Sequence, residues 1–163
     1  MAERHDRAVT DDALELLRSS SGLSIDAEGR FLHRGEPITH ARTLEVLWGS
    51  LSRTADGRYE VAIGRERAYV TLEAAPYAVR GVLEVPGSAP LLLLSDGSRE
   101  PLDPASLALG EDGVLRCTVK GGHAARFTRP AQVILGLALE EQPPGSGRYE
   151  LEIAGARHPI RTE

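Results

Sequence analysis

The sequence predicts an α+β fold made of two related halves, each with mostly antiparallel strands and one helix. Short runs that alternate apolar and polar residues are separated by Gly-containing turns, as in half-buried antiparallel strands. Two longer stretches instead repeat apolar residues at helical spacing. The tetrapeptide GRYE occurs twice, at residues 57–60 and 147–150, each time after a predicted helix. The order strand, turn, strand, helix, strand, strand therefore runs through both halves.

The composition is that of a soluble globular protein. The 163 residues are 41% hydrophobic and 26% charged, enough for one ordinary domain or two small ones. The formal net charge is −5, and no Lys/Arg run is present to hold a phosphate backbone, so we expect no nucleic-acid partner. Because no stretch is long and apolar enough to cross a membrane, we expect no membrane insertion and a cytoplasmic location.

Residues 1–22 are predicted to form a separate leader. Thr10 or Asp11 can cap a short helix there, because their side-chain oxygens accept hydrogen bonds from the free amides of a first turn. Leu14 and Leu17 give this helix one narrow apolar edge, which is too little to stabilise it alone. We therefore expect an N-terminal segment that is at most loosely docked.

The N-terminal half, residues 23–76, begins with two strands around a Glu28-Gly29 turn. A helix capped by Thr39 is predicted next. Its apolar face consists of Leu44, Leu47, Trp48 and Leu51. Two alternating runs, RYEVAI and RAYVTLE, then predict an antiparallel pair of strands. Trp48, Tyr59 and Tyr149 could face a shared cleft, since amphipathic rings suit binding surfaces, but we favour the interpretation that all three are residues of the core.

The C-terminal half, residues 77–163, begins with further strands. LLLL at 91–94 is apolar on both faces, which predicts a central or covered strand. Cys117 is the only cysteine and alternates with apolar residues in GVLRCTV. We therefore expect a buried core thiol and no disulfide within the chain.

The rest of this half aligns with the N-terminal half. TRPAQVILGLALEE predicts a helix with Pro130 at its first position, where a missing amide costs nothing. The aligned pairs include Leu107 on Leu23, Gly113 on Gly29, Leu115 on Phe31, Val133 on Val46 and Gly136 on Gly49. Several matches in the same order indicate a duplication.

Three segments of the chain resemble the bacterial domain of unknown function family 1285. DAEGRFLHRGEPI is similar to the first motif of that family, EAAPYAVRGV to the second and VKGGHAARFTRP to the third. The matching residues are Gly29, His33, Gly35, Pro37, Ile38, Ala75, Pro76, Tyr77, Gly121, Gly122, Arg129 and Pro130. Phe31 stands where the family usually has Trp, and AQVIL replaces an aromatic pair. The resemblance implies a duplicated α+β core, a C-terminal half similar to pleckstrin-homology-like (PH-like) folds, a binding site where the halves meet and a role in signalling.

Two groups of residues in these motifs form the candidate ligand-binding site. The first motif contributes His33, Arg34, Glu36 and Pro37, and the third contributes Arg126, Arg129 and Pro130. Arg side chains present forked donors to an anion, and free amides at the start of a helix also favour negative charge. We therefore expect a non-enzymatic protein that binds a small ligand or a protein partner at the junction of the halves, as an accessory to signal transduction.

Two other functions stay open. A small enzyme could use His33 and Glu36 as an acid/base pair, provided that their side chains touch inside a pocket. A structural interaction module could pair through an exposed sheet edge, or form a homodimer through its helices. The sequence has no HExxH, paired-Cys, nucleophile-elbow or phosphate-loop spacing, so we predict no metal, no cofactor and no nucleophilic catalysis.

Overall fold

The computed structural model describes residues 22–163, and the predicted leader helix lies outside them. This part of the chain divides into an N-terminal unit, residues 22–26 and 30–74, and a C-terminal unit, Ala27–Gly29 and Ala75–Glu163. Each unit combines strands with one α-helix, so the α+β class predicted from the sequence is confirmed. No helix in the described range is long and apolar enough to span a membrane.

The N-terminal unit is a mixed six-stranded sheet with the order β3-β2-β1-β6-β5-β4. Its strands are β1 Leu23–Ile25, β2 Phe31–His33, β3 Glu36–Pro37, β4 Ser52–Arg53, β5 Tyr59–Ile63 and β6 Glu66–Leu72. Neighbouring strands pair antiparallel except β1 and β6, which pair parallel. The buried positions alternate in β1 and at the start of β5, because one face of the sheet is covered.

Helix α1, Ala41–Ser50, covers this sheet and packs mainly against β5. Leu47 is 2% exposed, and Leu44 and Trp48 pack against the same apolar cluster. The Trp48 ring meets the Phe31 ring edge to face, with 4.5 Å between their centroids. Trp48 is therefore part of the core, as its helical spacing predicts.

The N-cap of α1 differs from the sequence prediction. His40 is the cap, and its Nδ1 accepts a hydrogen bond from the Thr43 backbone N–H at 3.3 Å. The prediction that Thr39 caps the helix is wrong. A cap side chain accepts a hydrogen bond from a backbone N–H two or three residues later in the chain. That amide belongs to Thr43, which is within reach of residue 40.

The C-terminal unit contains a mixed seven-stranded sheet and a separate three-stranded sheet. The larger sheet has the order β16-β10-β11-β12-β7-β8-β9. Its strands are β7 Tyr77–Leu83, β8 Leu91–Leu94, β9 Arg99–Pro101, β10 Ala108–Leu109, β11 Leu115–Val119, β12 His123–Phe127 and β16 Arg161–Thr162. The smaller, antiparallel sheet consists of β13 Leu139–Glu141, β14 Tyr149–Ile153 and β15 Ala156–Pro159. A short 3-10 turn, Pro104–Ser106, precedes β10.

Two core predictions for this unit are confirmed. Strand β8 lies between β7 and β9, and its Leu92 and Leu94 are buried, as expected for a covered strand. Cys117 is 4% exposed, and burial raises the pKa of its thiol to about 12. At neutral pH the thiol therefore stays protonated and behaves as a small apolar core residue.

Helix α2, Arg129–Gly136, packs mainly against β7. Ala131 and Leu135 face that strand and are 0% and 1% exposed. Pro130 stands in the first turn, where its missing amide leaves no helical hydrogen bond unmade.

The end of α2 differs from the sequence prediction. The backbone N–H groups of Leu137 and Ala138 close tight turns onto the carbonyls of Ile134 and Leu135, and the helix stops at Gly136. The prediction that the helix continues through LALEE is wrong, because Leu139–Glu141 pairs with β14 as a strand. Strand pairing has overridden the helix propensity of these residues.

Candidate functional site

The first-motif residues lie on a tight hairpin of the N-terminal unit. His33 and Glu36 are opposite each other in the register of β2 and β3. Between them, Arg34 and Gly35 adopt positive φ angles of 51° and 81°, as a two-residue hairpin turn requires. Arg34, Glu36 and Pro37 are exposed, whereas His33 is half-buried. The hairpin therefore presents one guanidinium and one carboxylate to solvent.

The His33 and Glu36 side chains do not form the contact that acid/base catalysis requires. The His33 Nε2 atom is buried and has no hydrogen-bond partner within residues 22–163. In the same range, no side-chain hydrogen bond or ion pair joins His33 to Glu36. No observation thus favours the enzyme alternative.

The third-motif arginines line a cleft in the C-terminal unit. Arg126 lies near the end of β12, and Arg129 is the first residue of α2, so the short connection between strand and helix brings both guanidinium groups to one opening. This opening, the α2 cleft, has a volume of about 770 Å³. Its apolar wall consists of Leu109, Leu115, Phe127, Leu139, Tyr149 and Ile160. Pro130 lies beside Arg129 but does not line the cleft.

One face of α2 forms another wall of the cleft. Arg129, Gln132, Val133 and Gly136 line it, and they recur at the helical spacing i, i+3, i+4, i+7. Val133 is 59% exposed, and a Cβ added at Gly136 would meet nothing within 4 Å. The face is therefore open and carries one positive charge at its N-terminal end.

Gln132 fixes the turn that faces α2, and the sequence analysis missed it. Its Oε1 accepts a hydrogen bond from the Leu115 backbone N–H at 2.8 Å, and its Nε2 donates to the Gly113 carbonyl at 2.7 Å. Because both ends of the amide bind the facing turn, Gln132 holds one wall of the cleft in place. Its position three residues after Arg129 is the signal that could have identified it.

The charges around the cleft are only partly compensated. The Asp112 carboxylate lies 2.8 Å from the Arg116 guanidinium. The hydrogen bond from Arg116 holds the pKa of the Asp112 carboxyl below its usual range, and the charge of Arg126 acts in the same direction. Arg126 makes one long hydrogen bond, 3.4 Å, to the Ala27 carbonyl. The Arg129 side chain is exposed and makes no hydrogen bond or ion pair within residues 22–163.

A short loop that contains Glu28 completes the cleft. Arg80 donates hydrogen bonds to the carbonyls of Glu28 at 3.2 Å and Gly29 at 3.0 Å. Gly29 has a φ of +79°, and a Cβ there would lie 2.6 Å from the Ser95 Cβ and 2.7 Å from the Ala78 Cβ. Only glycine fits this position, since both the backbone conformation and the space exclude a side chain.

A second opening lies on another side of α2. This β14 groove has a volume of about 440 Å³, and its lining includes Val82, Val85, Ile134, Leu137, Leu151 and Ile153. Ile134 and Leu137 are 47% and 86% exposed. No arginine or lysine lines the groove, and its charged lining residues are Glu84 and Glu152, so it combines an apolar surface with negative charge.

Solved structures of DUF1285 family proteins are similar to this chain. One, from Silicibacter pomeroyi DSS-3, has a TM-score of 0.65 and 19% identity, and the match covers 86% of this chain and 80% of that one. Another, from Shewanella baltica OS155, has a TM-score of 0.57 and 19% identity over 71% of this chain and 90% of that one. No protein-family model and no curated protein matches the chain. The chain thus has the fold of these two proteins of the domain of unknown function family 1285, which confirms at the level of the fold the resemblance predicted from its motifs.

Proposed function

We propose that the protein binds a small ligand, without catalysis, in the α2 cleft of its C-terminal unit. The observation that carries the proposal is that Arg126 and Arg129, two residues predicted from the sequence as ligand-binding, line the same cleft. Its volume of about 770 Å³ lies within the roughly 300–1,000 Å³ of small-molecule sites, which combine apolar walls with a few polar groups. We also propose an accessory role in signal transduction, and this part of the proposal rests on the sequence resemblance alone.

The first-motif group is not needed for this proposal. His33, Arg34, Glu36 and Pro37 belong to the N-terminal unit, and their part in ligand binding stays a prediction.

A thermal-shift screen against metabolites and nucleotides tests the proposed function. We expect at least one compound to raise the melting temperature of the wild-type chain, because a ligand that binds only the folded state stabilises it. Val133→Trp should remove this response by filling the mouth of the cleft. The matched control is Val46→Trp, since Val46 is 45% exposed on α1 and does not line the cleft. Absence of any stabilising compound, or an unchanged response in Val133→Trp, would refute the proposal.

We also infer that the two units arose by duplication. In the N-terminal unit, the first strand, β1, pairs parallel with the end of β6. In the C-terminal unit, β10 pairs parallel with β16, which follows β15 after one residue. The turn after each first strand is closed by a backbone hydrogen bond of 3.0 Å, from Asp26 to Arg30 and from Gly110 to Val114. These positions are the ones aligned in the sequence. The PH-like resemblance of the C-terminal half stays a prediction.

A second candidate function is an interaction module that dimerises through α2. It is favoured by three exposed apolar residues, Val133 and Ile134 on this helix and Leu137 directly after it, at 59%, 47% and 86% exposure, since such patches are common in protein interfaces. Analytical ultracentrifugation should then show a dimer that Leu137→Asp dissociates. A monomer at all concentrations would exclude this function and leave ligand binding untouched.

A further inference from the structure

We propose that the ligand of the α2 cleft is an acid with an apolar body, a carboxylate or a phosphate monoester, whose charged end is held by Arg126 and Arg129. This inference rests on the proposed function and adds the chemical class of the ligand. It follows from the charges of the cleft and from the nature of its wall.

The charged groups of the cleft favour an anion. Its lining contains two guanidinium groups, those of Arg126 and Arg129, and two carboxylates, those of Glu28 and Asp112. Asp112 is already paired with Arg116, which lies outside the lining. Two positive charges therefore face one carboxylate, that of Glu28.

The start of α2 adds positive potential beside Arg129. The N-cap Thr128 donates its hydroxyl to the Val79 carbonyl at 3.1 Å and makes no side-chain cap. The first-turn amides of α2 thus have no side-chain acceptor, and the helix dipole favours negative charge there. This effect supplements the two arginines, whose forked donors match the planar oxygens of a carboxylate or the oxygens of a phosphate.

The wall of the cleft favours an apolar ligand body. Val133, which is 59% exposed, and the half-buried Leu109 and Leu139 contribute apolar surface to the cleft. Tyr149 adds an amphipathic ring to the same wall. A bare inorganic anion would leave this surface hydrated, whereas an acid with an apolar body removes it from water and gains affinity. We therefore expect the cleft to select a ligand by both its charged end and its apolar body.

Isothermal titration calorimetry of the full chain with four probes tests this class. Octanoate and octyl phosphate carry the acid and the apolar body, octanamide carries the body without the charge, and inorganic phosphate carries the charge without the body. We expect at least one of the two acids to bind ten-fold or more tightly than octanamide and inorganic phosphate. The acid that binds more tightly identifies the head group as a carboxylate or a phosphate.

Substitution of the arginines locates the site. We expect Arg126→Gln/Arg129→Gln to weaken binding of the preferred acid at least ten-fold, and the single Arg129→Gln variant to weaken it measurably. Because Arg129 is exposed, Arg129→Gln should fold normally. The single variant therefore tests the site even if the double variant folds poorly. Arg99→Gln is the matched control, since Arg99 is exposed on β9 in the same unit and lines neither opening.

Each contrary result overturns a defined part of the inference. Equal affinity for octanamide removes the role of charge but leaves the cleft as a ligand site. Equal affinity for inorganic phosphate removes the role of the apolar body. Acid binding that is unaffected by the double substitution places the anion elsewhere. If none of the four probes binds, the proposed class is wrong, while the thermal-shift screen decides separately whether the cleft binds any ligand.

Discussion

The two α-helices within residues 22–163 pack against different strands, and this difference decides where open space is left. Helix α1 packs mainly against β5 and buries Leu47 to 2% exposure. Helix α2 packs mainly against β7, and Ile134, which the alignment places over Leu47, is 47% exposed. The α2 cleft and the β14 groove are both lined by residues of α2 and β14. The same order of elements can thus give a closed core or ligand-sized openings, depending on which strand the helix covers.

Truncation of Leu47 and of Ile134, which are aligned in the two helices, should have very different effects on stability. Leu47→Ala should lower the free energy of unfolding by about 2–5 kcal/mol, because it leaves a cavity in a packed core. Ile134→Ala should lower it by less than about 1 kcal/mol, because a half-exposed side chain loses little burial. Urea denaturation of both variants measures the difference. Equal losses would mean that α2 is packed as tightly as α1 and would contradict the comparison.

The two aligned turn glycines should also differ. Gly29→Ala should lower the free energy of unfolding by about 2–4 kcal/mol, because the new Cβ would overlap Ser95 and Ala78 and the residue has a φ of +79°. Gly113→Ala, at a φ of +77° with nothing within 4 Å, should cost only about 1 kcal/mol from backbone strain. Melting temperatures of the two variants report this order. A reversed order would mean that the Cβ at position 29 is accommodated more easily than the one at position 113, which would contradict the tight packing of Gly29 against Ser95 and Ala78.

The C-terminal sheet also depends on an ion pair, with a pH dependence of known sign. Lys120 Nζ lies 2.6 Å from Asp96 Oδ2, whose side chain is 10% exposed. Burial alone would raise the pKa of the Asp96 carboxyl, but hydrogen bonds from Lys120 and Ser98 outweigh it and hold this pKa below its usual range. A carboxyl whose pKa is lowered by folding stabilises the fold at pH values above its unfolded-state pKa. This stabilisation is lost as the pH falls through the folded-state pKa.

Lys120→Met should therefore lower stability by about 1 kcal/mol or less at pH 7, and its difference from the wild type should shrink below a pH of about 4. Denaturation at a series of pH values measures this. The exposed pair Arg157–Glu150, at 3.4 Å, supplies the control Arg157→Met, which should change stability by close to zero. A loss of stability in Lys120→Met that persists unchanged at low pH would rule out the ion pair as its cause.

The smallest expected effects are gains in stability in the helices. Gly49→Ala in α1 and Gly136→Ala in α2 should each raise the free energy of unfolding by about 0.5–1 kcal/mol, because alanine has the higher helix propensity. Neither glycine has a positive φ, and an added Cβ would meet nothing within 4 Å at either. The control Gly57→Ala, at a φ of +88°, should lower stability instead. A loss in Gly136→Ala alone would indicate that α2 is distorted near its end.

The sequence was sufficient to predict the fold class and much of the core. Alternation of apolar residues predicted β5 and β6 because one face of their sheet is covered, and helical spacing predicted that Trp48 packs in the core. The end of α2 was not predictable from LALEE, since these residues favour a helix and become a strand only through pairing with β14. That pairing is a tertiary contact, which local propensity does not contain.

The candidate site was predictable to a similar extent. Arg126 and Arg129 are separated by a strand end and a helix start, so the sequence alone places them close together. The cleft itself depends on the choice of β7 over β14 as the partner of α2, which no local pattern specifies. Gln132 was missed because a polar residue on a helix is usually solvated, and only its two hydrogen bonds to the facing turn identify it.

Titrations of the full chain with octanoate and with octyl phosphate, followed by amide chemical shifts, are the most direct test that the α2 cleft binds an anionic ligand. We expect saturable shifts for amides around the cleft, in Asp112–Leu115 and Arg126–Arg129 and at Tyr149, with little change in α1, Ala41–Ser50. The absence of saturable shifts with both acids, or shifts confined to residues outside the cleft, would contradict the account.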